Sequence, residues 1–300
     1  MNSLLSILKS GKVLVSDGAW GTQLMKRGLV SGECPELWNS THRKEVLSVA
    51  QGYIDAGADM ILTNSFGGNP VKLDHYGLSE RAAELNEAAA AISREAAGTD
   101  HFVLGSMGPT GVILMMGEVS EQTLYDGFSL QAKALAKGGV DAFCIETMSA
   151  LDEACIAVRA AKESTGLDVA CTFTFEKTAS GGFKTMMGVS PAQMAIAVTK
   201  AGASIIGANC GNGFDGMIDI VREIRKVDKS TPVLVHANAG KPEIKDNKTV
   251  FPETPEMMAS KVNDLIKNGA NIIGGCCGTT PEHIRALAKE IKKQKLEIWN

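Results

Sequence analysis

Apolar positions along this chain follow two periodicities that alternate from end to end. Short runs of nearly consecutive apolar residues occur at 13–17, 59–65, 102–106, 142–146, 169–175, 204–209, 233–237 and 271–275. Runs of this kind predict strands buried on both faces, as in a parallel sheet. Between them lie segments with helical spacing, at 36–56, 79–97, 121–137, 151–164, 191–201, 216–227, 255–268 and 281–293. Pro35 precedes the first, and Gly57, Gly98, Gly138, Gly166 and Gly202 follow the first five in turn, matching the preference for proline at helix starts and glycine beyond helix ends. Ser190 is placed to cap the fifth. A cadence of helix, glycine, small residue and strand recurs at Gly57-Ala58, Gly139-Val140, Gly202-Ala203 and Gly269-Ala270.

Eight strand-then-helix units predict an α/β fold, a single (β/α)8 TIM barrel domain spanning 1–300. A doubly wound open sheet would need a phosphate-binding glycine fingerprint at an early turn, and the sequence has none. With 300 residues, 44% hydrophobic and 21% charged, the chain can bury a large core. A net charge of −4 without a dense Lys/Arg stripe argues against nucleic acid as a partner. The basic stretch 289–295 reads as a solvated helix face. No run approaches membrane-spanning length, and residues 1–12 lack the apolar centre of a secretory leader. The expected location is therefore cytoplasmic. There, seven cysteines argue against a disulfide framework.

In such a barrel the active site lies at the carboxyl ends of the strands. Cys210 ends strand 6, and the adjacent Cys276 and Cys277 end strand 8 within Gly274-Gly275-Cys276-Cys277-Gly278. Neighbouring strand residues face opposite ways, so both can reach one ion only if the backbone bends. Gly274, Gly275 and Gly278 are expected to permit that bend. Three thiolates around one Zn2+ would leave the fourth tetrahedral position open for water or substrate. Ordinary buried cysteines, or a vicinal redox pair, are the competing readings. Cys34, Cys144, Cys155 and Cys171 read as packing residues.

Asp17 and Glu146 end strands 1 and 4, where a buried charge needs a partner. A substrate ammonium group would serve, although loop capping also suits Asp17. Backbone amides around Gly18 and Ala19 are expected to receive a substrate carboxylate. Asn209 and Asn238 are assigned to orienting ligands or substrate. His236 reads as a hydrogen-bonded structural histidine rather than a fourth ligand. Met115, Met116, Met186 and Met187 form either a soft rim or ordinary loop packing.

Taken together, Asp17-Gly18-Ala19-Trp20-Gly21-Thr22, Thr63-Asn64-Ser65-Phe66, Gly108-Pro109-Thr110-Gly111, Glu146-Thr147, Asn209-Cys210, Asn238-Ala239-Gly240-Lys241-Pro242 and the motif from Gly274 to His283 resemble the homocysteine S-methyltransferase family. The likeness is greatest to the N-terminal homocysteine module of the cobalamin-dependent methionine synthases. The resemblance implies a zinc barrel with Cys210, Cys276 and Cys277 as ligands. It also implies that Asp17 and Glu146 contact the homocysteine amino group, and that a methyl group moves to the homocysteine sulfur to give methionine. Methylcobalamin on a separate corrinoid protein or module is the expected donor. S-methylmethionine, betaine, another acceptor or corrinoid-linked demethylation are the family's alternatives, and a non-catalytic zinc or thiol sensor is the alternative outside it.

Overall fold

Eight parallel strands form the centre of the molecule: β1 (Leu14–Val15), β2 (Met60–Leu62), β3 (Phe102–Met107), β4 (Ala142–Met148), β5 (Asp168–Phe173), β6 (Ile205–Asn209), β7 (Val233–Ala237) and β8 (Ile272–Gly275). Their order around the sheet is β1-β8-β7-β6-β5-β4-β3-β2, with every ladder parallel. The computed structural model describes residues 3–117, 119–245 and 248–297. Helices such as Arg43–Asp55, Ala82–Ala97, Glu121–Lys137 and Leu151–Thr165 follow successive strands and pack outside them. This is the (β/α)8 barrel that the alternating periodicities predict.

The seam between β1 and β2 closes partly through side chains. Asp59 donates its backbone N–H to the Val15 carbonyl (2.8 Å), and its carboxylate accepts the Val15 N–H (2.8 Å). Asp17 accepts the Leu62 N–H (2.8 Å). Two aspartates thus take up backbone donors that a longer ladder would have paired.

Strand residues alternate between two buried clusters. Val15, Ile61, Val103, Ile206, Val235 and Ile273 pack outward against the helices. Leu14, Met60, Leu62, Leu104, Cys144, Ala170, Leu234 and Ile272 fill the barrel interior. The interior is closed at the amino-terminal end of the strands by helix Leu4–Lys9, which inserts Leu4 and Leu8. Two residues further along the same faces, the side chains become polar: Ser16, Ser106, Glu146, Thr172 and His236, all buried. The interior is therefore apolar at one end and polar at the other.

Several elements differ from the sequence expectation. The helix expected at 36–56 is a 3-10 turn, Pro35–Leu37, a short helix, Trp38–Thr41, and helix Arg43–Asp55. It breaks at His42, whose backbone leaves the helical region (φ −133°, ψ 45°) while its ring stacks on Trp38 at 4.2 Å. The segment 255–268 likewise divides into Pro255–Ser260 and Val262–Lys267. Helix Leu4–Lys9 and the small antiparallel pairs Glu176–Lys177 with Phe183–Lys184 and Glu243–Lys245 with Lys248–Val250 carry too little periodicity to be anticipated. Met115 and Met116 lie in a 3-10 turn, Leu114–Met116, and the basic stretch at 289–295 falls within helix Pro281–Glu297.

If Leu8 seals the barrel floor, Leu8→Ala should lower unfolding stability by about 2–4 kcal/mol, measured by urea denaturation. A loss within about 0.5 kcal/mol, ordinary for a surface site, would contradict the plug.

Candidate metal and substrate site

β6 and β8 are not neighbours; β7 runs between them. The residues at and beyond the end of β7 pin both flanking loops. The Cys210 N–H donates to the His236 carbonyl (2.9 Å), and the Cys276 N–H donates to the Ala237 carbonyl (2.6 Å). The Ala239 N–H then donates to the Cys277 carbonyl (3.0 Å). These bonds bring the sulfur atoms of Cys210, Cys276 and Cys277 within 4.8 Å of one another.

The backbone at both loops is specialised. Cys276 to Thr279 form a turn closed by the Thr279 N–H on the Cys276 carbonyl (3.1 Å), with Gly278 at φ +82°, where an L side chain is strained. Gly274 and Gly275 do not supply the bend, contrary to the sequence expectation. They sit in regular strand and allow close approach: a Cβ at Gly275 would lie 2.4 Å from Thr279 Oγ1, and one at Gly274 would lie 2.7 Å from the Asp17 carbonyl. Cys210 itself adopts φ +60° and Thr147 φ +64°, the non-glycine residues with positive φ among those described. Each such residue costs on the order of 1–3 kcal/mol and persists only where its surroundings hold it.

Three half-buried thiols in this arrangement suit a soft, tetrahedral ion. Zinc binds thiolates at about 2.3 Å, which sets two sulfurs on one ion about 3.8 Å apart, within the span found here. The cluster already favours one thiolate. The neighbouring Cys276 and Cys277 thiols, helped by Asn238, hold Cys210 well below its ordinary range. The same interaction with Cys210 pushes Cys276 and Cys277 above their ordinary range.

The thiols border a cavity of about 270 Å³ at the polar end of the barrel, lined also by Asp17, Glu36, Ser106, Glu146 and His236. Its size suits a small metabolite rather than a drug-sized ligand. Glu146 accepts a hydrogen bond from Ser106 Oγ. Burial foremost, with the nearby Asp17 and Cys210 charges, pushes its carboxyl up to about 7. Asp17 is buried and pushed to about 6, against the pull of donors from Leu62, Trp20 and Ser16. Asp17 thus borders the cavity while also closing the barrel seam.

Other expected residues fall differently. Gly18 and Ala19 line the cavity, but the Ala19 amide already donates to Thr279 Oγ1 (3.0 Å). The Thr22 hydroxyl, also in the lining, is buried without a partner. Asn209 lies outside the lining, fully buried, with its amide committed to Thr147 and Thr172. Asn238 is likewise outside the lining and acts on the Cys210 sulfur. His236 is not the hydrogen-bonded histidine expected: its Nε2 is buried with no partner, and burial holds the ring neutral by lowering it to about 4. Glu36, not anticipated, accepts the Gly67 N–H (2.6 Å) and the Cys34 thiol (3.3 Å); nothing in its local sequence distinguishes it from a surface helix acid.

A glutamate ordinarily titrates near 4.5. Folded Glu146 keeps its proton to higher pH than the unfolded chain does. Its stabilising contribution is full below the ordinary value and lost as pH rises through about 7. In metal-free protein without substrate, Glu146→Gln should remove this slope, so the wild-type advantage in Tm should shrink between about pH 5 and about pH 8. A constant difference would show that Glu146 is ionised throughout.

Known proteins bear on this arrangement. The chain is 31% identical to methionine synthase from Mycobacterium tuberculosis over 97% of its own length and 26% of that protein. It is 31% identical to the Mycobacterium leprae methionine synthase over 94% of its own length and 24% of that protein. It therefore spans about a quarter of the curated relatives it matches. Among solved structures it resembles the metallated form of the homocysteine methyltransferase MmuM from Escherichia coli, at TM-score 0.77 and 21% identity, covering 95% of this chain and 98% of that one. A more distant likeness in fold is to the carboxyl transferase domain of Rhizobium etli pyruvate carboxylase, at TM-score 0.55 and 13% identity, covering 97% of this chain and 49% of that one. The family model described as homocysteine S-methyltransferase matches residues 14–291, which take in the barrel strands, the three thiols and the cavity carboxylates, and the chain belongs to that family.

Proposed function

We propose that this chain transfers a methyl group to the thiol of homocysteine, giving methionine, with Cys210, Cys276 and Cys277 holding one Zn2+. The observation that carries the reading is the convergence of three thiols beside a cavity lined by three buried carboxylates, two of them, Asp17 and Glu146, at strand ends of the barrel. Zinc, when bound, supplies a Lewis acid that lowers the pKa of a coordinated thiol, so that the nucleophilic thiolate forms at neutral pH.

The rest of the chemistry falls to the chain. Glu146 and Asp17 lie where a substrate ammonium would relieve the cost of their burial. The Thr22 hydroxyl, buried and unpartnered, would meet a substrate carboxylate only by turning toward the cavity, and the Ala19 amide is already taken by Thr279. No general base is assigned to the sulfur.

Methylcobalamin on a separate corrinoid protein or module is the donor we favour. Met115, Met116 and Met186 are strongly exposed and Met187 less so, in the loops that follow β3 and β5. Exposed, flexible methionines suit contact with a macromolecule, and a small donor such as S-methylmethionine or betaine has no need of them. A cytoplasmic setting suits seven free thiols.

The test is metal analysis followed by methyl transfer from free methylcobalamin, S-methylmethionine and betaine to homocysteine. We expect one zinc per chain, methionine from methylcobalamin, and loss of both in Cys276→Ser with the fold kept. S-methylmethionine turning over at the methylcobalamin rate would overturn the donor. Full zinc in Cys276→Ser would overturn the ligand set. Zinc-loaded protein that makes no methionine from any donor would point to the sensor reading.

A further inference from the structure

We propose that Asn209 is a positioning residue that fixes the Cys210 thiol and the Glu146 carboxylate relative to each other, by bracing the two left-handed residues Thr147 and Cys210 across β5. The proposal rests on the reading of Cys210 as a metal ligand and Glu146 as a substrate contact.

Thr147 directly follows Glu146, and Asn209 directly precedes Cys210. Asn209 Oδ1 accepts the Thr147 N–H (2.8 Å) and the Thr172 hydroxyl (2.8 Å). Asn209 Nδ2 donates to Thr147 Oγ1 (2.7 Å). The orientation of the amide is fixed, because a backbone N–H can only donate. The Asn209 carbonyl accepts the Thr174 hydroxyl (3.0 Å). One side chain therefore holds the tip of β4, crosses β5 and sets the residue before Cys210.

The chemistry calls for asparagine. The site needs an acceptor for two donors and a donor for one hydroxyl on the same short side chain. Aspartate lacks the donor and would add a buried anion near Glu146, and glutamine carries the amide one methylene further out. Asn209 lies outside the cavity lining, so its effect on substrate must pass through Thr147 and Cys210.

The experiment compares wild type, Asn209→Ala, Thr147→Gly and the double variant. Amide exchange at Thr147 and Cys210 is followed in metal-free protein, zinc affinity by chelator competition, and KM for homocysteine by turnover. Asn209→Ala should speed exchange at both amides and weaken zinc binding by about tenfold or more, the range seen when outer hydrogen bonds to metal ligands are removed. It should also raise KM. Glycine takes positive φ without a brace, so in the Thr147→Gly background Asn209→Ala should no longer raise KM, while zinc affinity still falls. A merely structural asparagine would lower stability without this split.

The proposal fails if exchange and zinc affinity in Asn209→Ala stay within about twofold of wild type, or if the KM effect persists unchanged in the glycine background. If Asn209→Ala does not fold, Asn209→Asp is measured in the same way, since it keeps an acceptor for the Thr147 N–H and the Thr172 hydroxyl but replaces the amide donor with a buried anion. If wild type binds neither zinc nor homocysteine, the functional reading fails, and exchange at the two amides still decides the clamp.

Discussion

Three sulfur atoms from two strands that do not pair must meet within 4.8 Å, and much of the unusual backbone in the molecule follows from that. β7 lies between the two cysteine-bearing strands and serves as their template, its carbonyls accepting the Cys210 and Cys276 amides. Adjacent cysteines face one point only because the chain turns immediately, with Gly278 at positive φ. Cys210 is held at positive φ without being glycine. Strain of this kind is tolerated where surrounding bonds over-determine it, and here those bonds come from β7 and from the tip of β4.

The polar end of the barrel has a cost that the rest of the fold offsets. Glu146, Asp17 and His236 are buried, and burial moves all three toward their neutral forms. Uncompensated charge there would be expensive. The amino-terminal end is closed by an apolar layer and a helix plug, so the polar layer is confined to the end where the cavity opens. Asp17 joins the two themes, since it takes up a backbone donor at the β1–β2 seam and also borders the cavity. Shape and charge at the mouth are therefore coupled to closure of the barrel.

The barrel was legible because parallel strands buried on both faces read as apolar runs, and glycine marks most helix ends. The convergence of the three thiols was legible because cysteines at the tips of two barrel strands, one pair flanked by glycine, fit a common site better than core packing. What escaped the sequence has a common cause: it depends on contacts distant along the chain. The Ala19 amide is claimed by Thr279, far away in sequence, so a glycine-rich turn that looked open is partly closed. Asn209 reads as a cavity residue from its place beside Cys210, and only the fold shows its amide turned to Thr147. His236 reads as satisfied until the barrel interior shows no partner for Nε2. The His42 break has no glycine or proline to announce it.

The central claim of the proposed function is that Cys210, Cys276 and Cys277 together hold a metal that receives a thiol substrate. Zinc X-ray absorption spectroscopy tests it most directly, on loaded protein before and after homocysteine is added. The account predicts three sulfur ligands from the protein and a fourth on adding substrate. Fewer than three sulfurs at the start, or an unchanged spectrum with homocysteine bound, would contradict it.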